Sequence, residues 1–272
     1  MLILLSILGL LAVIFFAAKR RVTNQFQKEV RSLFSRSANI SNQTFQSWQI
    51  QNLPEPVQRY FKHTLKEGQP YVSYVRLKHD GQFKTHPSKD WVNIRGEQYF
   101  TTEKPGFIWK GSTTLFTACD SYIAQTGKLM VSLFSAFPIL NAGGEKTDQG
   151  ELLRWLGESV WFPTNLLPAE SLRWEPIDDA SAKLVFTDSN LSVFYTVTFN
   201  EMGEITELET KRYKDQGNLE TWVGKLSDYK EISGMRIPTR IEGIWRLEKE
   251  ESSYARFHLQ RIEYNLPRGF FQ

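Results

Sequence analysis

Glu151, Arg154 and Glu158 recur at the three- and four-residue spacing that stacks side chains on one face of an α-helix. Two indoles, Trp155 and Trp161, flank the row. Two carboxylates around a guanidinium, fenced by aromatic rings, can hold a cation or a sugar, because an indole face attracts positive charge and stacks against flat ligands. These five residues are the candidate ligand-binding set. The competing reading is a solvated ion-pair row worth roughly 0.2–0.5 kcal/mol, and Arg154 preceding Glu158 is the weaker order for such a pair. Glu158 is of chemical interest as an acid or base only if buried, and hydrolysis would require a second carboxylate nearby, for which Asp120 is the candidate.

Other chemistry is sparse. His63, His79, His86 and His258 are scattered; His79 and His86 flank an Asp80-Gly81 turn signal, yet a metal site needs three or four convergent donors. The sequence lacks GxSxG, HExxH, Walker and GxGxxG patterns. No catalytic residue, metal ligand or cofactor is assigned. The only cysteine, Cys119, excludes an intrachain disulfide, and with no basic neighbour in sequence it reads as structural.

The Glu-Arg-Glu row sits in the stretch DQGELLRWLGESVWFP, which predicts a helix from Asp148 to about Trp161. Asp148 and Glu151 have capping-box spacing, and Pro163 disfavours helix one residue earlier. Leu152, Leu153, Leu156 and Val160 form its aliphatic face. Most of the remaining chain alternates with period two, most clearly at Leu191, Val193, Tyr195, Val197 and Phe199. Strands are expected in a meander over 70–134 and again over 172–265, with 137–144 as a loop and a packing helix over Leu53–Leu65. The fold class is mainly β (α+β): a large curved antiparallel sheet or half-open barrel of about eleven strands, with the inserted helix filling its concave side.

At 272 residues and 41% hydrophobic content the body reads as one β-rich domain, 53–272. Ahead of it, 1–18 is an uncharged apolar run that would reach roughly 26 Å as a helix, just enough for a bilayer core. Lys19-Arg20-Arg21 follows directly and no basic region precedes it, so the run reads as an uncleaved single-pass transmembrane helix rather than a signal peptide. Segment 19–52 reads as a basic juxtamembrane helix over 22–34 followed by a polar linker, with Lys19, Arg20, Arg21, Lys28 and Arg31 against lipid headgroups. The net charge of +3 is concentrated there; the rest is slightly acidic, which argues against a nucleic-acid partner. The positive-inside rule puts the body in the cytoplasm, with a periplasmic or extracellular body as the alternative.

The segments LPEPVQRYF, GEQYF with PGFIWKG, RWLGESVWFPTNLL and GMRIPTRIEGIW resemble those of a bacterial family of membrane-anchored proteins known by a domain-of-unknown-function label, a resemblance that implies no activity. More distantly, the order of sheet, helix plug and second run of strands is similar to the lipoprotein-carrier half-barrel of the periplasmic Lol system, a likeness of architecture that transfers no site residues. Three functions are weighed. The first is non-catalytic binding of a lipid or other hydrophobic ligand in the curved sheet, with the helix as plug or gate; a concave side solidly filled by side chains, with no apolar pocket, would end this reading. The second is a module that docks a membrane-protein partner on the Trp-fenced helix face, which requires that face to be exposed. The third is a hydrolase with Glu158 as acid or base.

Overall fold

Thirteen strands form among the residues described by a computed structural model of the chain, which covers 2–86, 88–214, 217–248 and 250–271, with side chains from residue 13 onward. The order is α1 (Leu2–Ser35), α2 (Glu55–Thr64), β1 (Tyr74–Phe83), β2 (Val92–Thr101), β3 (Gly106–Ser112), β4 (Phe116–Ile123), β5 (Thr126–Leu133), β6 (Phe137–Ala142), α3 (Glu145–Glu158), β7 (Leu172–Pro176), β8 (Ser181–Asp188), β9 (Leu191–Phe199), β10 (Ile205–Tyr213), β11 (Leu219–Ile232), β12 (Met235–Arg246) and β13 (Glu251–Tyr264). They make one antiparallel sheet in the order β6-β5-β4-β3-β2-β1-β13-β12-β11-β10-β9-β8-β7. Two meanders are thus sewn together where β1 meets β13, with Val75 opposite Tyr264.

The edges of this sheet are β6 and β7, the strands that flank α3 in the chain. Laid flat, thirteen strands would hold those edges roughly 58 Å apart, whereas α3 is only about 21 Å long. The sheet instead curls, and the connection crosses its concave face. Tyr122 at the end of β4 donates to Asp188 at the end of β8 at 2.8 Å, and Gln125 reaches Ser189 at 2.6 Å, so the two wings touch around the helix. Helix α3 packs against β4, β5, β9 and β10.

Leu152, Leu153, Leu156 and Val160 are buried against the sheet as their spacing predicts. Trp155 and Trp161 are buried as well, each with its indole N–H on a backbone carbonyl, of Thr101 at 2.9 Å and Pro238 at 3.1 Å. Tyr195 caps the packing by donating to Leu153 O at 2.9 Å; at Gly157 a Cβ would lie 2.9 Å from that same hydroxyl oxygen. The concave side is filled by side chains. Two surface recesses lie elsewhere, one of about 420 Å³ along α1 between Ala17 and Lys28, the other of about 880 Å³ beside Lys211, Arg246 and Glu250.

Several boundaries differ from expectation for identifiable reasons. Helix α3 starts one turn early: Gly144, at φ +93°, occupies the N-cap, and Asp148 makes no capping box because its Oδ1 accepts from Gly127 N on β5 at 2.6 Å. Residues 137–142 form β6 rather than a loop, and they lack alternation because the strand has nearly every side chain exposed. Asp80-Gly81 lies inside β1, not in a turn; a Cβ on Gly81 would lie 2.0 Å from Arg256 O on the neighbouring strand, so glycine answers a close backbone approach.

The segment ahead of the sheet is also packed. Helix α1 is continuous through Ser35, and Phe26, Val30, Leu33 and Phe34 place a helical stripe on Tyr74, Tyr99 and Ile108 of the convex face. The helix expected over 22–34 is thus part of α1 and carries an apolar stripe that packs on the sheet. Nor is 35–51 a free linker: Phe45 and Ile50 join the main core, and Phe45 exchanges backbone hydrogen bonds with Gly68 and Gln69 at 2.9 Å. Of the apolar run over 1–18, the side chains of 1–12 lie outside the described residues; among the described residues no helix is long and apolar enough to cross a membrane.

Since Leu156 is fully enclosed between helix and sheet, Leu156→Ala is expected to lower stability by about 2–5 kcal/mol. Urea denaturation should show a reduced midpoint, and an unchanged midpoint would mean that α3 contributes little to the core.

Candidate functional site

The strand register assembles half of the site before the helix arrives. Leu77, Gln98, Trp109 and Asp120 lie in one cross-strand row over β1, β2, β3 and β4, on the concave face. Helix α3 then lowers Glu151, Arg154 and Glu158 toward them. Arg154 Nε donates to Glu158 Oε1 at 3.0 Å, and its Nη1 donates to Asp120 Oδ2. Its guanidinium lies 4.6 Å from the Trp109 ring centre and 5.2 Å from that of Phe107. Gln98 donates to Glu158 Oε2 at 2.6 Å, while Arg212 on β10 approaches Glu151 at 4.0 Å. The side chains of Arg154, Glu158 and Asp120 are only 13–14% exposed, so this is an interior charge cluster, not a solvated row.

Of the five candidate residues, the structure brings together Glu151, Arg154 and Glu158. It does not bring Trp155 and Trp161 to them; the aromatic walls are Phe107 and Trp109 instead. With Trp155 and Trp161 buried and Glu158 only 13% exposed, that helix face offers little surface to a protein partner. Asp120 does stand near Glu158, but both carboxylates bond the same guanidinium rather than facing a cleft. Lys19, Arg20, Arg21, Lys28 and Arg31 are exposed on α1, with Arg31 over the Phe271 ring at 5.8 Å. His79 is buried, accepts from the Trp109 indole at 2.8 Å and lies away from His86, which bonds Ser88. Among the described residues no three metal-ligating side chains converge.

Gln98, Arg212 and His79 are the members that sequence reasoning missed. Gln98 and Asp120 carried a readable signal: each is a polar residue in the inward phase of its strand, in step with Phe100 and Tyr122. Gly96 makes room for His79, since a Cβ there would lie 1.8 Å from the imidazole Nε2.

Burial governs the electrostatics. It pushes the carboxyls of Asp120 and Glu158 upward, against the opposing pull of Arg154. For Glu151, burial and then the charge of Asp120 push the value from 4.5 to about 8. Burial works against the Arg154 cation too, but Glu158 and Asp120 outweigh it and hold the guanidinium charged. His79 is pushed down to about 4, chiefly by burial, and stays neutral at physiological pH. Asp120 Oδ1, Glu151 Oε2 and Gln98 Oε1 are buried with no hydrogen-bond partner, an arrangement that costs free energy in a closed interior.

Two outcomes follow from this arrangement. Arg154→Ala leaves two buried carboxylates without their cation and is expected to cost about 3–5 kcal/mol; in chemical denaturation, adding Asp120→Asn and Glu158→Gln should restore most of the loss. Between about pH 4.5 and 8 the folded chain retains a proton on Glu151 that the unfolded chain has released. Stability is therefore greatest below that window and falls as pH rises through it, by at most about 1.4 kcal/mol per pH unit from this group. Glu151→Gln should flatten that slope in melts taken across pH, and an identical slope in both proteins would show that Glu151 ionises freely.

No curated protein matches the chain. Among solved structures, a LolA superfamily protein from Nitrosomonas europaea is similar at 12% identity and TM-score 0.39, over 77% of this chain and 92% of that one. A domain described as an outer membrane lipoprotein-sorting protein, from Vibrio parahaemolyticus, is similar at 10% identity and TM-score 0.41, over 78% and 91%. The model of the family of unknown function DUF6544 matches residues 43–257, which span α2, α3 and all but the end of the sheet, and the chain belongs to that family.

Proposed function

We propose that this chain is a membrane-tethered, non-catalytic module; because the filled concave side rules out the standing pocket expected from the sequence, a hydrophobic ligand, such as the acyl chain of a lipid, enters the curved sheet only when α3 moves out. Its body lies on the side of Lys19, Arg20 and Arg21, which the charge rule makes cytoplasmic. The observation that carries the reading is the charged row on the buried face of α3. A helix retained only as core filler is best held by apolar contacts, because burying ion pairs costs about as much as their attraction returns. A helix that leaves its groove regains hydration for Glu151, Arg154, Glu158 and the unpartnered oxygens opposite them. Displacement uncovers Leu77, Phe100, Phe107, Trp109 and Tyr122 around the polar pair Gln98 and Asp120, a mostly apolar wall that suits hydrocarbon beside a polar group. Gly143-Gly144 ahead of the helix supplies a pivot, Gly144 already standing in the left-handed region.

The test is native mass spectrometry of the full-length chain after mild detergent extraction, beside the Asp120→Asn, Arg154→Met, Glu158→Gln triple variant. A stoichiometric lipid in the wild type that is depleted in the triple variant supports the reading, because lipid held only by α1 would be equal in both. A clean apo mass in both, unchanged after incubation with phospholipid, sinks it.

A further inference from the structure

An apolar knob stands at one corner of the sheet, where the β3–β4 and β5–β6 turns meet. Leu115, Phe134, Phe137, Ile139 and Leu140 are 47–63% exposed there. The two turns are tied into one unit: Phe134 N donates to Leu115 O at 2.7 Å, and Thr117 and Ser135 share a hydroxyl bond of 2.6 Å. The β5–β6 turn is also strained. Phe134 and Ser135 stand at φ +51° and +58° with Ala136 N on Leu133 O, the geometry for which Asn-Gly is the usual choice. A phenylalanine held in the left-handed region at a solvent-facing tip is an outlier that points to a use for its ring.

The position of the knob relative to α1 identifies its partner. Leu33 packs on Gly106 at the start of β3, and Phe26 lies under Lys110 near its end, so α1 runs back along β3 toward the β3–β4 turn. Beyond Lys110 the strand and its turn add roughly 10 Å, a distance α1 covers in about seven residues from Phe26. The knob therefore comes level with Lys19, Arg20 and Arg21, and the exposed Val13, Ile14 and Phe16 continue past it. Basic residues at that height suit headgroups, and aromatic side chains beside them suit the interfacial layer.

We propose that this double-hairpin knob is a second lipid contact, which enters the interfacial layer of the bilayer that receives the apolar end of α1. The inference rests on the tether of the proposed function and is independent of whether α3 opens. With two points of attachment, helix and knob, the body has a set orientation on the membrane instead of swinging about one helix.

The test places a single environment-sensitive fluorophore on Phe134→Cys, on Phe16→Cys, or on Trp48→Cys near the start of β1, which is exposed and lies at the opposite end of the sheet. Cys119 is partly buried with its thiol pushed up to about 12 by burial, so one label per chain is expected and is verified by mass. Full-length protein goes into phosphatidylethanolamine–phosphatidylglycerol vesicles carrying a shallow nitroxide lipid. The expected result is blue-shifted, quenched emission at 134 and at 16, with neither change at 48. Quenching at 16 while 134 behaves like 48 overturns the knob and leaves the tether standing. Quenching at neither overturns both. A blue shift without quenching at 134 would set the knob against protein, a second copy or another chain, and overturns the lipid assignment.

Discussion

The connection between the two edges of the sheet has to cross its concave face, and the rest of the molecule follows from that crossing. Because β6 and β7 are both edge strands and also neighbours of α3 in sequence, the curl of the sheet, the burial of most of the second half of α3 and the contact between the two wings are one geometric fact. A surface helix would bury a single stripe. This one is largely enclosed, and its Glu-Arg-Glu row faces the sheet with Arg154 and Glu158 only 13% exposed.

Enclosure changes what that row means. On a surface, Arg154 and Glu158 would contribute little. In the interior they need Asp120, Gln98, Arg212 and the faces of Phe107 and Trp109 to be tolerated, and several oxygens still lack partners. The cluster thus fixes how α3 sits while limiting how tightly it is held. In the function proposed above, that balance is what separates a plug from ordinary core filling and links the site to ligand uptake.

Helix α1 adds a second constraint from the outside. Its stripe of Phe26, Val30, Leu33 and Phe34 clamps it along the convex face, supported by Tyr74, Tyr99 and Ile108. With the following residues tied through Phe45 to Gly68 and Gln69 ahead of β1, and through Ser37 O to the Tyr74 hydroxyl, little slack remains between helix and sheet. The direction of the helix and the orientation of the body are therefore set together.

The family was legible in its resemblance through segments such as RWLGESVWFPTNLL, and local pattern by itself determined the inserted helix and its aliphatic face, most strands and the antiparallel class. Those features depend on periodicity within one segment, which a segment carries wherever it is placed. Even so, β6 was invisible because an edge strand exposed on both faces has no alternation to read, and the α1 stripe was masked by the polar residues around it. Only the tertiary structure decided that Glu151, Arg154 and Glu158 point inward, that Phe107 and Trp109 rather than Trp155 and Trp161 wall them, and that Asp120, Gln98 and Arg212 complete the set. Burial and charge balance depend on which strands close around the helix, and that closure brings Gln98 and Arg212, 114 positions apart along the chain, onto Glu158 and Glu151 of one helix. No segment encodes it alone.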